Sequence, residues 1–535
     1  MNILSLHLGH DGAITIIAGD EVIIHHQLDR FNKFKHEHTP VYGLFEKIKN
    51  LKLKFDKVVI TSMGSTEFPI EYYLSKFFGI KSDKIIKIAQ GEHHIFHALC
   101  AKFLFQVEKD FIIYVADGDG AVQNLRHESK YLNGIKITEN ESIYDENLNP
   151  LYKKYESPKG VNFGNSHMKV YPSISLGKGY QTLVYELGLE EFEEGKAMAL
   201  SSHGKLNPET CEGLIATDAW NLCPQDGPYK FDPMNKYNRI MLNPYINHLQ
   251  QKSESLDFVH SFQKAFEYLF LYTLKKVNLK NKKIILTGGC AQNVLSNSNV
   301  VKELPNEILA DPFNGDFGIS LGAALKHTNE KIKPLKHICS GFSPAQDLSI
   351  FSDYKIKNYT TVAYVAKILM KEPIAIFSGR SEQGQRGLGF RSLVANPLTR
   401  EGKENVNSIK RREWYRPFAC TILKEKAKEY FDMGRIKESP FMMFVFKSKD
   451  SRLKNVCSVD GYSRIQTLDK PFHPEYYNLI VEFSKLSGVP VVLNTSLNLP
   501  GNVLCETYQD LLTIFKNSKL KYCWLPELKK LICKP

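Results

Sequence analysis

Several things are scarce in this chain, and each scarcity removes a class of protein. No apolar run approaches the roughly 18 residues that a membrane-crossing helix requires. The ten cysteines are scattered, with no Cys-x-x-Cys pair, so neither a zinc ribbon nor a dithiol redox motif is indicated. Low-complexity tracts and short fixed-period repeats are missing, which sets aside disordered and collagen-like chains. The opening MNILSLHLGHDG lacks the charged-then-apolar pattern of a secretion signal and reads as strand and turn. These absences lead to the expectation of a cytoplasmic protein with reduced thiols and no membrane partner.

What is present is the composition of a folded protein, 43% apolar and 24% charged. The 535 residues exceed one compact core, so at least two domains are expected. Seventy basic against 58 acidic residues leave a net charge of +12, which favours an anionic partner: a nucleotide, a phosphate compound or nucleic acid.

Apolar periodicity and glycine turns outline α/β architecture. Ile3–His7, Ala13–Ile17 and Glu21–His26 read as strands around the turn Gly9–Gly12. Val41–Asn50 and Tyr72–Phe78 read as helices, with the strand Val58–Thr61 between them. A helix opens near His93, and Phe111–Gln123 repeats the strand-turn unit around Asp117-Gly118-Asp119-Gly120. This repeated unit suggests an actin/hexokinase-like ATPase-type domain, although Asp-Gly is also an ordinary hairpin turn. Lys283–Leu286 is a strand that ends in Thr287-Gly288-Gly289 before a helix from about Gln292. Such a junction either brings backbone N–H groups close to a nucleotide or is a plain βα turn. Lys331–Gln346 is the best linker, and beyond it Arg and Lys concentrate in Ser378–Arg416.

Three segments could carry chemistry. His93 and His97 are four apart and share a helix face, so they either chelate a metal or line a helix start. Asp117 and Asp316, each in a glycine turn, could complete a set suited to iron or a similar divalent ion. Arg380, Arg386 and Arg391 are interleaved with glycines and extended by Lys410, Arg412 and Arg416. They form either an anion-binding surface or a solvated basic face. Glu193-Glu194-Gly195-Lys196 is either a site carboxylate or a solvated loop cluster.

In sequence order these pieces resemble the NodU/TobZ/CmcH O-carbamoyltransferases along nearly the full length. The signals are His10-Asp11-Gly12-Ala13, Asp29-Arg30-Phe31 with Lys35-His36, His93-His94-x-x-His97-Ala98, Asp117-Gly118 and Ser175-Leu176-Gly177. Glu194-Gly195-Lys196-Ala197-Met198 and Gly288-Gly289-Cys290-Ala291-Gln292-Asn293 follow. The second half adds the Gly379–Ser392 arginine motif, Arg412-Glu413-x-x-Arg416-Pro417, Asp460-Gly461 through Arg464-x-Gln466-Thr467, and Asn494-Thr495-Ser496-x-Asn498.

The resemblance implies an ATPase-type, threonylcarbamoyl-transferase-like domain over residues 1–340 and a YrdC-like α/β domain over 341–535. It implies that carbamoyl phosphate and ATP, with Mg2+ as a further candidate cofactor, give carbamoyladenylate, whose carbamoyl group passes to an acceptor hydroxyl. His93, His97, Asp117 and Asp316 would hold Fe2+ or another divalent metal. Gly288, Gly289 and Asn293 match the adenosine motif, and His10, then Glu194, are candidates for the base at the acceptor. Arg380, Arg386, Arg391, Lys410, Arg412 and Arg416 would clamp phosphates, with Asn494 and Ser496 as hydrogen-bonding partners. The acceptor is expected to be a sugar, an antibiotic, a nucleotide or a hydroxymethylated base in DNA. The chain departs from the family pattern upstream of Asp460-Gly461, where a common His is replaced and Ser458 lies near that position, and at Asn502, where a Glu is expected. A tRNA threonylcarbamoylation-type enzyme and an inactive nucleotide-binding scaffold are the alternatives.

Overall fold

The computed structural model describes residues 1–36, 39–40, 42–62, 69–88, 92–118, 120, 122–124, 136–156, 161–162, 169–170, 175–216, 253–335, 337–345 and 347–535. Val41, Asp119, Ala121, Lys336 and Gln346, from segments singled out above, lie outside the described residues. The chain forms two compact units, residues 1–87 with 323–535, and residues 88–322. The expected cut near residue 340 falls inside the first unit, which draws on both ends of the chain.

The first unit holds two mixed α/β assemblies. In one, Asn2–Leu8 pairs antiparallel with Ala13–Ala18, which pairs antiparallel with Glu21–Gln27, and Lys57–Ser62 joins Asn2–Leu8 in parallel. Ile85–Ile88 completes the five strands. Strand alternation sends Leu4, Leu6 and Leu8 into a core shared with Leu44, Phe45 and Ile48 of the helix Tyr42–Asn50. Ser5 and His7 take the other face, where His7 Nδ1 lies 2.9 Å from Thr61 Oγ1.

The second assembly is a ten-stranded sheet built from residues beyond 354. Its middle runs through Tyr522–Leu525, Ile374–Phe377, Arg391–Ala395, Val491–Ser496, Ala419–Leu423 and Tyr462–Leu468, in that order. Helices Val362–Leu369 and Pro474–Ser487 bury Val365, Leu369, Leu479 and Phe483 against Ile374, Ile376, Val394 and Val492. Asn494 and Ser496 lie within the last three residues of the strand Val491–Ser496.

The second unit repeats the arrangement of the N-terminal sheet. Phe111–Ala116 is flanked on one side by antiparallel Lys136–Tyr144 and on the other by parallel Lys283–Thr287, beyond which lies parallel Ile308–Ala310. Every residue of Phe111–Ala116 is buried, which explains an apolar run without alternation. The helix His93–Phe105 packs Ala98 and Ala101 onto Phe111, Ile113 and Val115 of this strand. Among the described residues, no helix is long and apolar enough to cross a membrane, and the nine described cysteines form no disulfide.

Candidate metal centre and cation cluster

Four side chains from three elements of the second unit converge in its interior. His93 and His97 sit in the first turns of the helix His93–Phe105, on one face because four residues nearly complete a turn. Asp117 follows the end of the strand Phe111–Ala116, and Asp316 opens the short turn Asp316–Gly318. Asp117 Oδ2 lies 3.1 Å from His93 Nε2 and 3.3 Å from His97 Nε2. Asp316 Oδ1 lies 3.4 and 3.5 Å from the same two nitrogens, which are 3.2 Å apart. All four groups are buried, with donor atoms within 4.8 Å of one another.

Burial opposes charge on His93, yet the Asp316 carboxylate and then Asp117 outweigh it and lift the imidazole to about 10. His97 is raised by the same two acids against its own burial. Asp117 is held well below the usual carboxylate range, because hydrogen bonds from both histidines overcome its desolvation. Two imidazoles and two carboxylates, with no thiolate, form a donor set for iron(II) or a similar divalent ion. Metal bonds of about 2.1 Å put neighbouring octahedral donors roughly 3 Å apart, so the observed separations fit such an ion.

The surroundings hold this set in place. Asp117 N–H donates to Asn140 O at 2.9 Å, and Gly118 N–H donates to Asp117 Oδ1 at 2.7 Å. His94 turns the other way, its Nδ1 2.9 Å from Ser142 Oγ, within a buried network where Tyr144 and Lys153 also meet Glu139. The Gly288-Gly289 turn packs against the cluster. Gly288 has φ +85°, and a Cβ there would approach Ala116 O to 2.4 Å. A Cβ on Gly289 would stand 2.9 Å from Asp117 Oδ1, so the turn's backbone borders the Asp117 carboxylate. Asn293 caps the helix Val294–Glu303 by accepting from Ser296 N–H at 3.1 Å, and exchanges amide hydrogen bonds with Gln263. Glu194 starts the helix Glu194–Ser201, close enough for its charge to bear on Tyr180 and Cys290 of this region.

In the first unit the basic residues separate into two groups. Arg380 donates to Ile23 O at 2.7 Å and also to Ser340 O and Gly341 O. Arg391 is fully buried, donates to Ser378 O and Gly379 O, and stacks on Phe377 at 3.5 Å. Both guanidinium groups are engaged by backbone carbonyls.

Arg386, Lys410, Arg412 and Arg416 instead crowd one another. Burial, then Arg412 and Arg416, push Arg386 down to about 10. Burial, then Arg416 and Arg464, push Arg412 down to about 9, and Lys410 is driven well below its ordinary value by burial and the charges of Arg412, Arg416 and Lys35. Lys410 Nζ donates to Ser496 O at 2.9 Å and Asn498 O at 2.8 Å, and Arg412 donates to Thr495 Oγ1 at 2.7 Å. Asn494 Nδ2 donates to Gly387 O at 3.1 Å and to Thr421 Oγ1 at 2.9 Å beside this group. Glu413 pairs with Arg416 at 3.1 Å. Among the described residues, these cations meet a single ion-paired carboxylate, and a polyanion would neutralise the excess.

Two family models match the chain: carbamoyltransferase N-terminus over residues 66–325 and carbamoyltransferase C-terminus over residues 365–530. The chain belongs to the NodU/TobZ-type carbamoyltransferase family. Similar members include an uncharacterized protein of Methanocaldococcus jannaschii, 25% identical over 518 residues that cover 91% of this chain and 78% of that protein. Nodulation protein NolNO of Sinorhizobium fredii is 26% identical over 568 residues, covering 96% and 77%. Nodulation protein U of the same species is 31% identical over 235 residues, covering 41% and 40%. Among solved structures, the activator of 2-hydroxyisocaproyl-CoA dehydratase from Clostridium difficile matches with a TM-score of 0.34 and 14% identity over 61% of this chain and 94% of that one. A likeness at that level carries no functional weight.

Two cations of this carbamoyltransferase were not singled out as site residues by sequence reasoning. Arg464 belongs to the strand Tyr462–Leu468 and is pushed down by burial and by Arg386 and Arg416. Lys35 reaches the cluster from the N-terminal segment, where His36 Nδ1 meets Asp11 Oδ1 at 2.7 Å. Both lie in stretches that carry the resemblance, which was the available signal. His10 sits in the turn after Asn2–Leu8, beside Asp11 with its left-handed φ of 54°.

Proposed function

We propose that the chain is an ATP-dependent O-carbamoyltransferase with an ATPase-type N-terminal part and a YrdC-like C-terminal part. Water first hydrolyses carbamoyl phosphate, its acyl-phosphate linkage breaking to give carbamate and inorganic phosphate. A carbamate oxygen attacks the α-phosphorus of ATP, forming carbamoyladenylate as pyrophosphate leaves. The acceptor hydroxyl then attacks the carbamoyl carbon, the bond to the AMP oxygen breaks, and the hydroxyl proton passes to a base.

The cation cluster supports the first half. Arg386, Lys410, Arg412, Arg416 and Arg464 would bind the phosphates of both substrates and neutralise charge on departing phosphate and pyrophosphate. A cavity of about 330 Å³ bordered by Phe377, Phe390, Tyr508, Arg380 and Glu527 in the same unit has the size and aromatic lining suited to a nucleoside.

The observation that carries the second half is the buried quartet His93, His97, Asp117 and Asp316. These residues would hold iron(II) or a related divalent ion, which when bound supplies Lewis-acid polarisation. The Gly288-Gly289 backbone would admit the adenylate closely. His10 would take the acceptor proton, with Glu194 the second candidate. A sugar hydroxyl is the first acceptor class to test, and a nucleotide or hydroxymethylated DNA base is the second.

The test is incubation with carbamoyl phosphate, ATP and an acceptor panel, with pyrophosphate measured and the acceptors examined by mass spectrometry for the added carbamoyl group. Pyrophosphate release that requires carbamoyl phosphate supports the reading. A requirement for bicarbonate and threonine in its place would overturn it.

A further inference from the structure

Behind the metal quartet lies a buried carboxylate that is not part of it. Asp311 ends the connection from the strand Ile308–Ala310 and is fully buried. Both of its oxygens are engaged. Oδ2 accepts from the Thr287 hydroxyl at 2.7 Å, and Oδ1 accepts from Phe313 N–H at 2.7 Å. Its own N–H donates to Leu286 O at 2.9 Å.

These bonds fasten two loops together. One is the loop that runs from Asp311 through Phe313 to the ligand Asp316. It is compact enough that a Cβ on Gly318 would stand 2.3 Å from Phe313 O. The other is the turn after Thr287, where Gly288 and Gly289 press on Ala116 and on the ligand Asp117. Thr287 is the last residue of its strand, so its hydroxyl is set by the sheet, while Asp311 sits at the base of a loop. A buried carboxylate left without either donor would be costly, so the pair holds both loops in one arrangement.

We propose that Asp311 and Thr287 are positioning residues for the metal ligands: the Thr287–Asp311 hydrogen bond fixes Asp316 and the Gly288-Gly289 wall behind Asp117 in binding geometry. The proposal rests on the reading of the quartet as a metal site. Outer partners of this kind change metal affinity by about 10–100-fold when removed, because ligands free to move bind less tightly.

The experiment measures Mn2+ affinity directly, by equilibrium titration with the free ion followed by electron paramagnetic resonance. It uses the full-length wild type, Asp311→Asn, Thr287→Ala and Thr287→Ser. The expected result is a loss of about 10-fold or more in Asp311→Asn and Thr287→Ala, with affinity restored in Thr287→Ser, which keeps the hydroxyl. If Asp311→Asn does not fold, the Thr287→Ala and Thr287→Ser pair decides alone. Wild-type affinity in Thr287→Ala, or a loss in Thr287→Ser equal to that of Thr287→Ala, overturns the positioning role while leaving the metal reading intact. A wild type that takes up no Mn2+ or anaerobic Fe2+ overturns the metal reading and the proposal with it.

Discussion

His93 and His97 direct their Nε2 atoms at each other across 3.2 Å, with an aspartate oxygen on either side. The two carboxylates favour a cationic imidazole between them, so the metal-free pocket retains a proton. Burial favours loss of that proton, but the Asp316 and Asp117 carboxylates hold it on His93 up to about 10, against an ordinary value of 6.5. A metal requires the neutral imidazole, so binding must displace the proton. Apparent Mn2+ affinity should therefore rise with pH between 6.5 and about 10, by about tenfold per pH unit for each proton displaced. The linkage to folding has the opposite sense: the raised value stabilises the metal-free protein fully below 6.5, and that gain disappears as pH rises through about 10. Addition of Mn2+ to weakly buffered protein at pH 8 should acidify the solution. An unchanged pH on saturation would contradict the arrangement.

Loss of one ligand should divide the proposed reaction in two. His97→Ala and Asp316→Ala remove donors from the buried quartet, which shares no residue with the cation cluster. Carbamoyl phosphate-dependent pyrophosphate release should persist, while carbamoylation of the acceptor falls by about 10²-fold or more. His10→Asn should likewise spare pyrophosphate release and slow transfer, without weakening Mn2+ binding. Full transfer by His10→Asn would remove His10 from consideration as the base.

The cation cluster should be relieved by anions. Lys410 is buried and also crowded by Arg412, Arg416 and Lys35, so it binds its proton less readily in the folded chain than in the unfolded one. The unfolded state then holds more protons in the window between the lowered value and 10.5, and stability rises with pH there. Lys410→Met should flatten that slope. Orthophosphate should raise the melting temperature of the wild type, with about 2.7 kcal/mol available at a hundredfold excess over Kd. In Arg412→Gln and Arg464→Gln the phosphate response should shrink. An equal response in those variants would disconnect the cluster from anion binding.

The buried His-Asp quartet was largely legible in the sequence as a grouping, because i,i+4 histidines share a face and the two aspartates occupy glycine turns that can bend toward it. Asp117 and Asp316 are 199 positions apart in the chain, however, and their convergence depends on parallel pairing of Lys283–Thr287 with Phe111–Ala116. The arginine motif was less legible. Spacing marks Arg380, Arg386 and Arg391 as equals, yet two of them turn to backbone carbonyls and one joins the cluster, a choice made by tertiary packing. Arg464 lies in a strand in which its neighbours Ser463 and Ile465 are buried, and alternation alone would place it on an ordinary exposed face. Asp311 gave no signal at all, since a lone acid after a short strand reads as a turn residue.

Gly322 tests whether the helix carrying both histidines must sit this close to its neighbour. It belongs to the helix Ile319–Lys326, which follows the Asp316 turn, and an added Cβ would stand 2.0 Å from Phe96 O. Phe96 lies between His93 and His97, and its carbonyl belongs to rigid helical backbone. The neighbour cannot give way as a flexible side chain would, so Gly322→Ala must separate the two helices. Overpacking of this sort costs about 1–3 kcal/mol. The displacement also moves His93 and His97 away from Asp316, so Mn2+ affinity should fall even at temperatures where the variant remains folded. A control at Gly213, where an added Cβ meets nothing within 4 Å, should leave both melting temperature and Mn2+ affinity close to those of the wild type. Equal Mn2+ binding by folded Gly322→Ala and wild type would show that helix separation does not govern the ligand geometry.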